Sequence, residues 1–140
     1  MDNLMRIEFL NKSINEGFAR GVAANFAAIL DPTINQLSDI KTAISEAVTN
    51  AIIHGYEDCD GMVVMEGRIY GDTVEFTVSD KGKGIADINI AMQPLYTGKP
   101  DSERSGMGFT IMESFMDSIS VESKLGEGTS VKMTKKIGSR

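Results

Sequence analysis

The sequence predicts an α+β fold, a two-layer sandwich in which helices cover one face of a mostly antiparallel mixed sheet. Three observations carry that prediction. Short runs alternate apolar and polar residues, two longer stretches repeat apolar residues at helical spacing, and these segments follow one another as β-α-α-β-β-loop-α-β-β. The strands are expected to pair mainly as neighbours.

Each element has its own local reason. Met5, Ile7 and Phe9 alternate with Arg6 and Glu8, the pattern of a half-buried strand suited to a sheet edge or an interface. Ser13 and Glu16 have the form of a capping box, and Phe18, Val22, Phe26 and Ile29 then predict a helix from about Ser13 to Leu30. Asp31-Pro32-Thr33 breaks it. Thr33 with Gln36 caps a second helix, whose apolar positions are Leu37, Ile40, Ile44, Val48 and Ile52, and which ends near His54 and Gly55. Met62 to Tyr70 and Thr73 to Ser79 read as strands joined by a Gly71-Asp72 turn. The glycine-rich stretches Asp80 to Gly84 and Ser105 to Gly108 bracket a segment with Pro94, Gly98 and Pro100, expected to be a long mobile loop. Phe109 to Met116 suits a helix, and Ile119 to Glu122 with Thr129 to Met133 a closing hairpin around Gly126-Glu127-Gly128.

A chain of 140 residues with 41% apolar residues can bury one core, so residues 1–140 read as a single domain. The formal net charge is -6, from 20 acids against 14 bases, which argues against direct nucleic-acid binding because little counterion release is available. It does not argue against a bound nucleotide, since backbone amides and helix N-termini hold phosphates without a basic surface. Cys59, the only cysteine, has no partner for a disulfide and points to a reducing compartment. No apolar run approaches the roughly 20 residues that span a bilayer, so the expected setting is cytoplasmic, without membrane contact.

On the second helix Glu46, Asn50 and His54 form an i, i+4, i+8 row away from the apolar stripe. A carboxylate and a carboxamide one turn apart can divide a phosphoryl-transfer site, the first accepting a proton and the second ligating Mg²⁺. Asp80 ends a strand and opens Asp-x-Gly-x-Gly with Gly82 and Gly84, where a carboxylate can accept a hydrogen bond from an exocyclic amine while glycines let a flat ring approach. Gly106 and Gly108 precede a helix whose N-terminus can hold phosphate oxygens. Singly, these are a solvated helix face, an acidic turn and a hinge. Together, in this order, they are far more specific.

In that order the sequence resembles the GHKL ATPase and kinase superfamily, whose nucleotide fold is of the Bergerat type. "EAVTNAIIHG" is similar to its N box, "DKGKGI" to its first glycine box and "SGMGFTIM" to its second. "SEAVTNAIIHGY", "PLYTGKP" and "RSGMGFTIMESFMD" resemble most the sporulation branch of the bacterial anti-sigma factor kinases. That resemblance implies a homodimeric protein serine/threonine kinase that uses Mg²⁺ and ATP, yields ADP, holds a sporulation sigma factor inactive, and phosphorylates a serine of an anti-anti-sigma protein. It implies Glu46 as general base, Asn50 as Mg²⁺ ligand and Asp80 as the adenine contact, with Gly82, Gly84 and Thr129 beside it. It places Gly106, Met107 and Gly108 along the phosphates, beneath a lid from about Tyr96 to Ser105. In that lid Thr97, Lys99 and Ser105 would contact the nucleotide, and Arg104 would neutralise or orient the γ-phosphate. Arg20 corresponds to a partner-binding arginine. Ala86, Lys81 and Lys83 depart from the family pattern, and their effect falls on loop stiffness or nucleotide preference. A sensor histidine kinase normally carries a separate helical hairpin bearing a phosphoacceptor histidine, and here the one histidine, His54, already lies in the N box. The alternatives carried forward are a nucleotide-gated module that sequesters a partner without phosphotransfer, and a stress-response anti-sigma serine kinase.

Overall fold

The computed structural model describes residues 2–55, 60–82, 107–124 and 126–137. The order is β1 (Asn3–Leu10), α1 (Asn15–Ala27), a 3₁₀ turn (Ala28–Leu30), α2 (Ile34–Asn50), a π turn (Ala51–Gly55), β2 (Met62–Tyr70), β3 (Thr73–Asp80), α3 (Met107–Phe115), β4 (Ser118–Lys124) and β5 (Gly128–Lys136). The strands form one sheet in the order β1-β2-β3-β5-β4. All four described pairings are antiparallel, with β5 inserted between β3 and β4. Gly71 begins the two-residue β2–β3 turn with φ 59°, a conformation that favours glycine.

Period-2 alternation decides which face of the sheet is covered. Phe9, Val63, Met65, Ile69, Val74, Phe76, Val78, Val131 and Met133 are buried, and the matching stripe of α2, Ile40, Ile44 and Val48, is buried as well. Removing each of these large side chains from water contributes about 1.5–3 kcal/mol. At the start of α2 the expected capping box is present, with Gln36 N–H donating to Thr33 Oγ1 at 3.1 Å and Thr33 N–H to Gln36 Oε1 at 2.9 Å. Asp31 reverses the chain just before it, in the left-handed region at φ 58°.

Two local expectations for the first helix are corrected. Ser13 does not cap it by side chain. Glu16, the other half of the supposed box, instead takes Arg20 and Ser45 as partners. The buried face also matches the predicted stripe only in part, with Phe26 buried and Val22 packed against the core. Ala19, Ala23, Phe26 and Ala27 face inward, while Phe18 and Ile29 remain 53% and 59% exposed. The fully buried Ala19, Ala23 and Ala27 are small side chains that let a helix pack closely against its neighbours.

Phe26 also fixes the seat of α1 on the sheet. A methyl at Gly67 would stand 2.9 Å from the Phe26 ring and 2.8 Å from Met5 Cε, and the ring meets Phe76 edge-on at 6.1 Å. Gly67→Val is therefore expected to lower stability by about 1–3 kcal/mol through overpacking. Urea unfolding measures it, and an unchanged midpoint would mean that Phe26 does not sit on this glycine. On the same covered face, Lys135 (side chain 12% exposed) donates to the Phe115 carbonyl at 2.7 Å and pairs with Asp39 at 3.5 Å. One cation thus joins α2, the C-terminus of α3 and β5, where it also complements the helix dipole.

Candidate nucleotide site

The parity that builds the core also aims Asp80. It continues the inward row Val74, Phe76, Val78 at the end of β3, so its carboxyl turns toward the helical layer and is only 9% exposed. Gly82 N–H donates to Asp80 Oδ1 at 2.9 Å. The backbone of Thr129, its partner on β5, also hydrogen bonds to it. Burial pushes the Asp80 carboxyl above the ordinary carboxylate range, and the bonds from Gly82 and Thr129 pull only partly against that. A carboxylate offers about four acceptor positions. Two N–H bonds therefore leave capacity for an amine from outside the chain.

The sign of the stability effect follows from linkage. A carboxyl with a raised folded pKa binds its proton more tightly folded than unfolded, so folding weakens as pH rises through the interval between the two values, and the cost is complete above the folded one. In Asp80→Asn the amide carbonyl can still accept from Gly82, and no buried charge remains. The variant should therefore melt above the wild type at neutral pH, with the difference shrinking as pH falls from the raised Asp80 value toward the ordinary carboxylate range and gone below it. Paired melts across pH measure this. A wild type more stable than the variant at neutral pH would show that ionised Asp80 is not a burdened group.

A second cluster converges from the helices. Glu46 and Asn50, one turn apart on α2, are both half-buried and meet α3 at Gly108. A methyl on Gly108 would lie 2.9 Å from Asn50 Nδ2 and 3.4 Å from both Asn50 Oδ1 and Glu46 Oε2. Glycine is thus what lets the first turn of α3 reach these two side chains. That turn carries amide hydrogens without intrahelical acceptors, beside a carboxylate and a carboxamide. Directly after Asn50 the α-helix loosens into the π turn Ala51–Gly55, a form often found at functional positions. Nothing in the hydrophobic periodicity of α2 signals that change.

Gly128 is a further site residue that the sequence reading passed over as part of a turn. Its φ is 103°, and a methyl there would stand 2.1 Å from the Asp80 carbonyl oxygen and 2.7 Å from Lys81 Cα. Its signal in the sequence is the second glycine of Gly126-Glu127-Gly128, where one glycine would suffice for a turn. Beside it, Ser123 Oγ lies 2.8 Å from Thr129 Oγ1, within the same β4–β5 ladder.

Of the predicted site residues, the structure gathers Glu46, Asn50 and Gly108 in one cluster, and Asp80, Gly82 and Thr129 in another at the end of β3. Met107 begins α3. Arg20 stands apart on α1, 42% exposed and paired with Glu16 at 3.1 Å. Gly84, Thr97, Lys99, Arg104, Ser105 and Gly106 lie outside the described residues, as do Lys83, Ala86, Cys59 and the whole lid segment. No helix among the described residues is long and apolar enough to cross a membrane.

Helices over one face of an antiparallel sheet, with an acid at a strand end and a helix whose first turn brings a glycine against Glu46 and Asn50, define an ATPase domain of the histidine kinase-like class. Residues 12–135 match the family model described as the histidine kinase-like ATPase domain. The anti-sigma F factor of Thermoanaerobacter sp. (strain X514) is 58% identical over 137 residues, covering 98% of this chain and 96% of that protein. That of Clostridium perfringens (strain SM101 / Type A) is 59% identical over 139 residues, covering 98% and 99%. The chain belongs to the anti-sigma F factor family of histidine kinase-like ATPase domains. Among solved structures, the RsbU and RsbW domains of Rv1364c from Mycobacterium tuberculosis share the fold, with a TM-score of 0.70 and 21% identity over 96% of this chain and 32% of that one. The mycobacterial sensor histidine kinase MprB shares it at a TM-score of 0.58 and 18% identity, over 72% of each chain.

Proposed function

We propose that the chain, as a single kinase domain of residues 1–140, binds Mg-ATP between Asp80 and the Glu46–Asn50–Gly108 cluster and transfers the γ-phosphoryl group to a serine of an anti-anti-sigma protein. In its nucleotide-bound form it holds a sporulation sigma factor inactive in the cytoplasm. The observation that carries this reading is the convergence of Glu46, Asn50 and the α3 turn at Gly108, where only an absent side chain leaves room. The names of the curated relatives, anti-sigma F factors, support the sigma factor as partner.

Each residue then has a defined task. Asp80 accepts the exocyclic amine of adenine, while Gly82 and Thr129 hold its carboxylate in place; Asp80→Asn should accordingly weaken nucleotide binding as well as stabilise the free protein. Gly108 amides and the α3 N-terminus face the phosphates. Asn50 offers a neutral hard oxygen, the donor type that Mg²⁺ takes beside phosphate oxygens and water. Mg²⁺ bound there supplies neutralising charge on the phosphates. Glu46 accepts the proton of the serine hydroxyl as its oxygen bonds to the γ-phosphorus and the bond to the ADP oxygen breaks. Gly84, Thr97, Lys99, Arg104, Ser105, Gly106 and Met107 complete the nucleotide contacts by family resemblance. Arg20 is assigned to the partner surface on its half-exposed position, and the edge strand β1, with Leu4 exposed, supports a homodimer.

The test is to mix the purified protein with γ-labelled ATP, Mg²⁺ and the anti-anti-sigma protein of the same organism, with and without the sigma factor. Label on a serine together with ATP-dependent capture of the sigma factor is the expected result. Capture without label would select a sequestering module, and neither label nor capture would overturn the proposal.

A further inference from the structure

We infer that Glu16 is a positioning residue for the phosphoryl transfer proposed above, acting through Ser45 on the turn of α2 that carries Glu46; the inference rests on that reading of the site. Glu16 lies in the first turn of α1, far along the chain from the motifs of the nucleotide site. Its Oε2 accepts the Ser45 hydroxyl at 2.6 Å and faces Arg20 Nη1 at 3.1 Å, while Oε1 lies 3.4 Å from the same nitrogen. A hydroxyl-to-carboxylate bond of that length is charge-assisted and about twice as strong as a neutral one.

The placement of Ser45 gives this bond its consequence. A serine inside a helix commonly turns its hydroxyl back on the carbonyl four residues earlier and bends the helix. Here the hydroxyl is drawn outward to α1 instead. Ser45 and Glu46 are consecutive, about 100° apart around the axis. Any rotation or slide of α2 at Ser45 therefore carries Glu46 with it, at a place so close to α3 that a methyl added to Gly108 would lie 3.4 Å from Glu46 Oε2. Arg20, one turn after Glu16, fixes the rotamer of the carboxylate that makes the tie. The chain thus anchors one face of this α2 turn to α1 and presents the other to the site.

Glu16→Ala, Ser45→Ala, their combination and the conservative Ser45→Thr test this. Three quantities are read in each: kcat for phosphotransfer from γ-labelled ATP, the nucleotide Kd, and the amide resonance of Gly108 in the nucleotide-free protein. Each alanine variant is expected to lose about tenfold in kcat through misplacement of the base, with Kd unchanged. The double variant should be no slower than either single one, Ser45→Thr should recover, and Gly108 should shift in the same direction in both singles. An unchanged kcat, additive losses in the double variant, or a fall in melting temperature with Gly108 unmoved would overturn the positioning role. Should the wild type transfer no phosphate, the proposed reaction fails, and the Gly108 resonance alone then decides whether Glu16 positions Glu46.

Discussion

Glu46→Gln is expected to lower phosphotransfer on the order of 10²–10⁴-fold while leaving nucleotide affinity unchanged. The substitution preserves shape and keeps an oxygen near Gly108, so the half-buried packing between α2 and α3 survives. What it removes is the proton acceptor. A serine hydroxyl is a weak nucleophile at neutral pH, and the loss corresponds to roughly 3–5 kcal/mol of barrier. Single-turnover rates with the anti-anti-sigma protein, set beside nucleotide binding by calorimetry, separate the two effects. Equal losses in rate and affinity would move Glu46 from proton transfer to ligand binding.

The other large effect falls on stability. Gly128→Ala places a methyl 2.1 Å from the Asp80 carbonyl oxygen and forces alanine to φ 103°, and the obstructing atoms are backbone rather than a flexible side-chain end. Strain at an unfavourable φ and overpacking each cost about 1–3 kcal/mol. Their sum predicts a melting temperature lower by on the order of 10 °C. Because Thr129 follows Gly128 and hydrogen bonds Asp80, nucleotide affinity should fall as well. A variant that melts within a degree of the wild type would show that β5 can yield at this point, and with it that Asp80 is less firmly held than the geometry implies.

These two residues mark the reach and the limit of the sequence. Glu46 was legible because helical spacing sets it beside Asn50, and Asp80 because alternation along β3 carries its side chain inward with Val78. Thr33 and Gln36 were legible for a similar reason, since a capping box closes within four residues. Gly128 was not, because its need for a bare α-carbon comes from Asp80 and Lys81 at and just beyond the end of β3. The face of α1 is legible only in part, at Val22 and Phe26, through the same kind of dependence. Apolar periodicity weights Phe18 and Ile29 by size, whereas close packing against neighbours selects Ala19, Ala23 and Ala27. Ser13 and Glu16 had the letters of a cap, but the Glu16 carboxylate is drawn to Ser45 on another helix. Local rules succeed where the partner is within a turn or a strand step, and miss where a distant segment sets the demand.

In the proposed function the Asp80 corner and the Glu46–Asn50–Gly108 corner are two ends of one ligand site. Titrating Mg-ATP into isotopically labelled protein and following amide resonances addresses it directly. Gly82 and Thr129, beside Asp80, should move together with Gly108, along a single saturation curve. Movement at one corner alone, or two curves with different midpoints, would contradict a site that spans both.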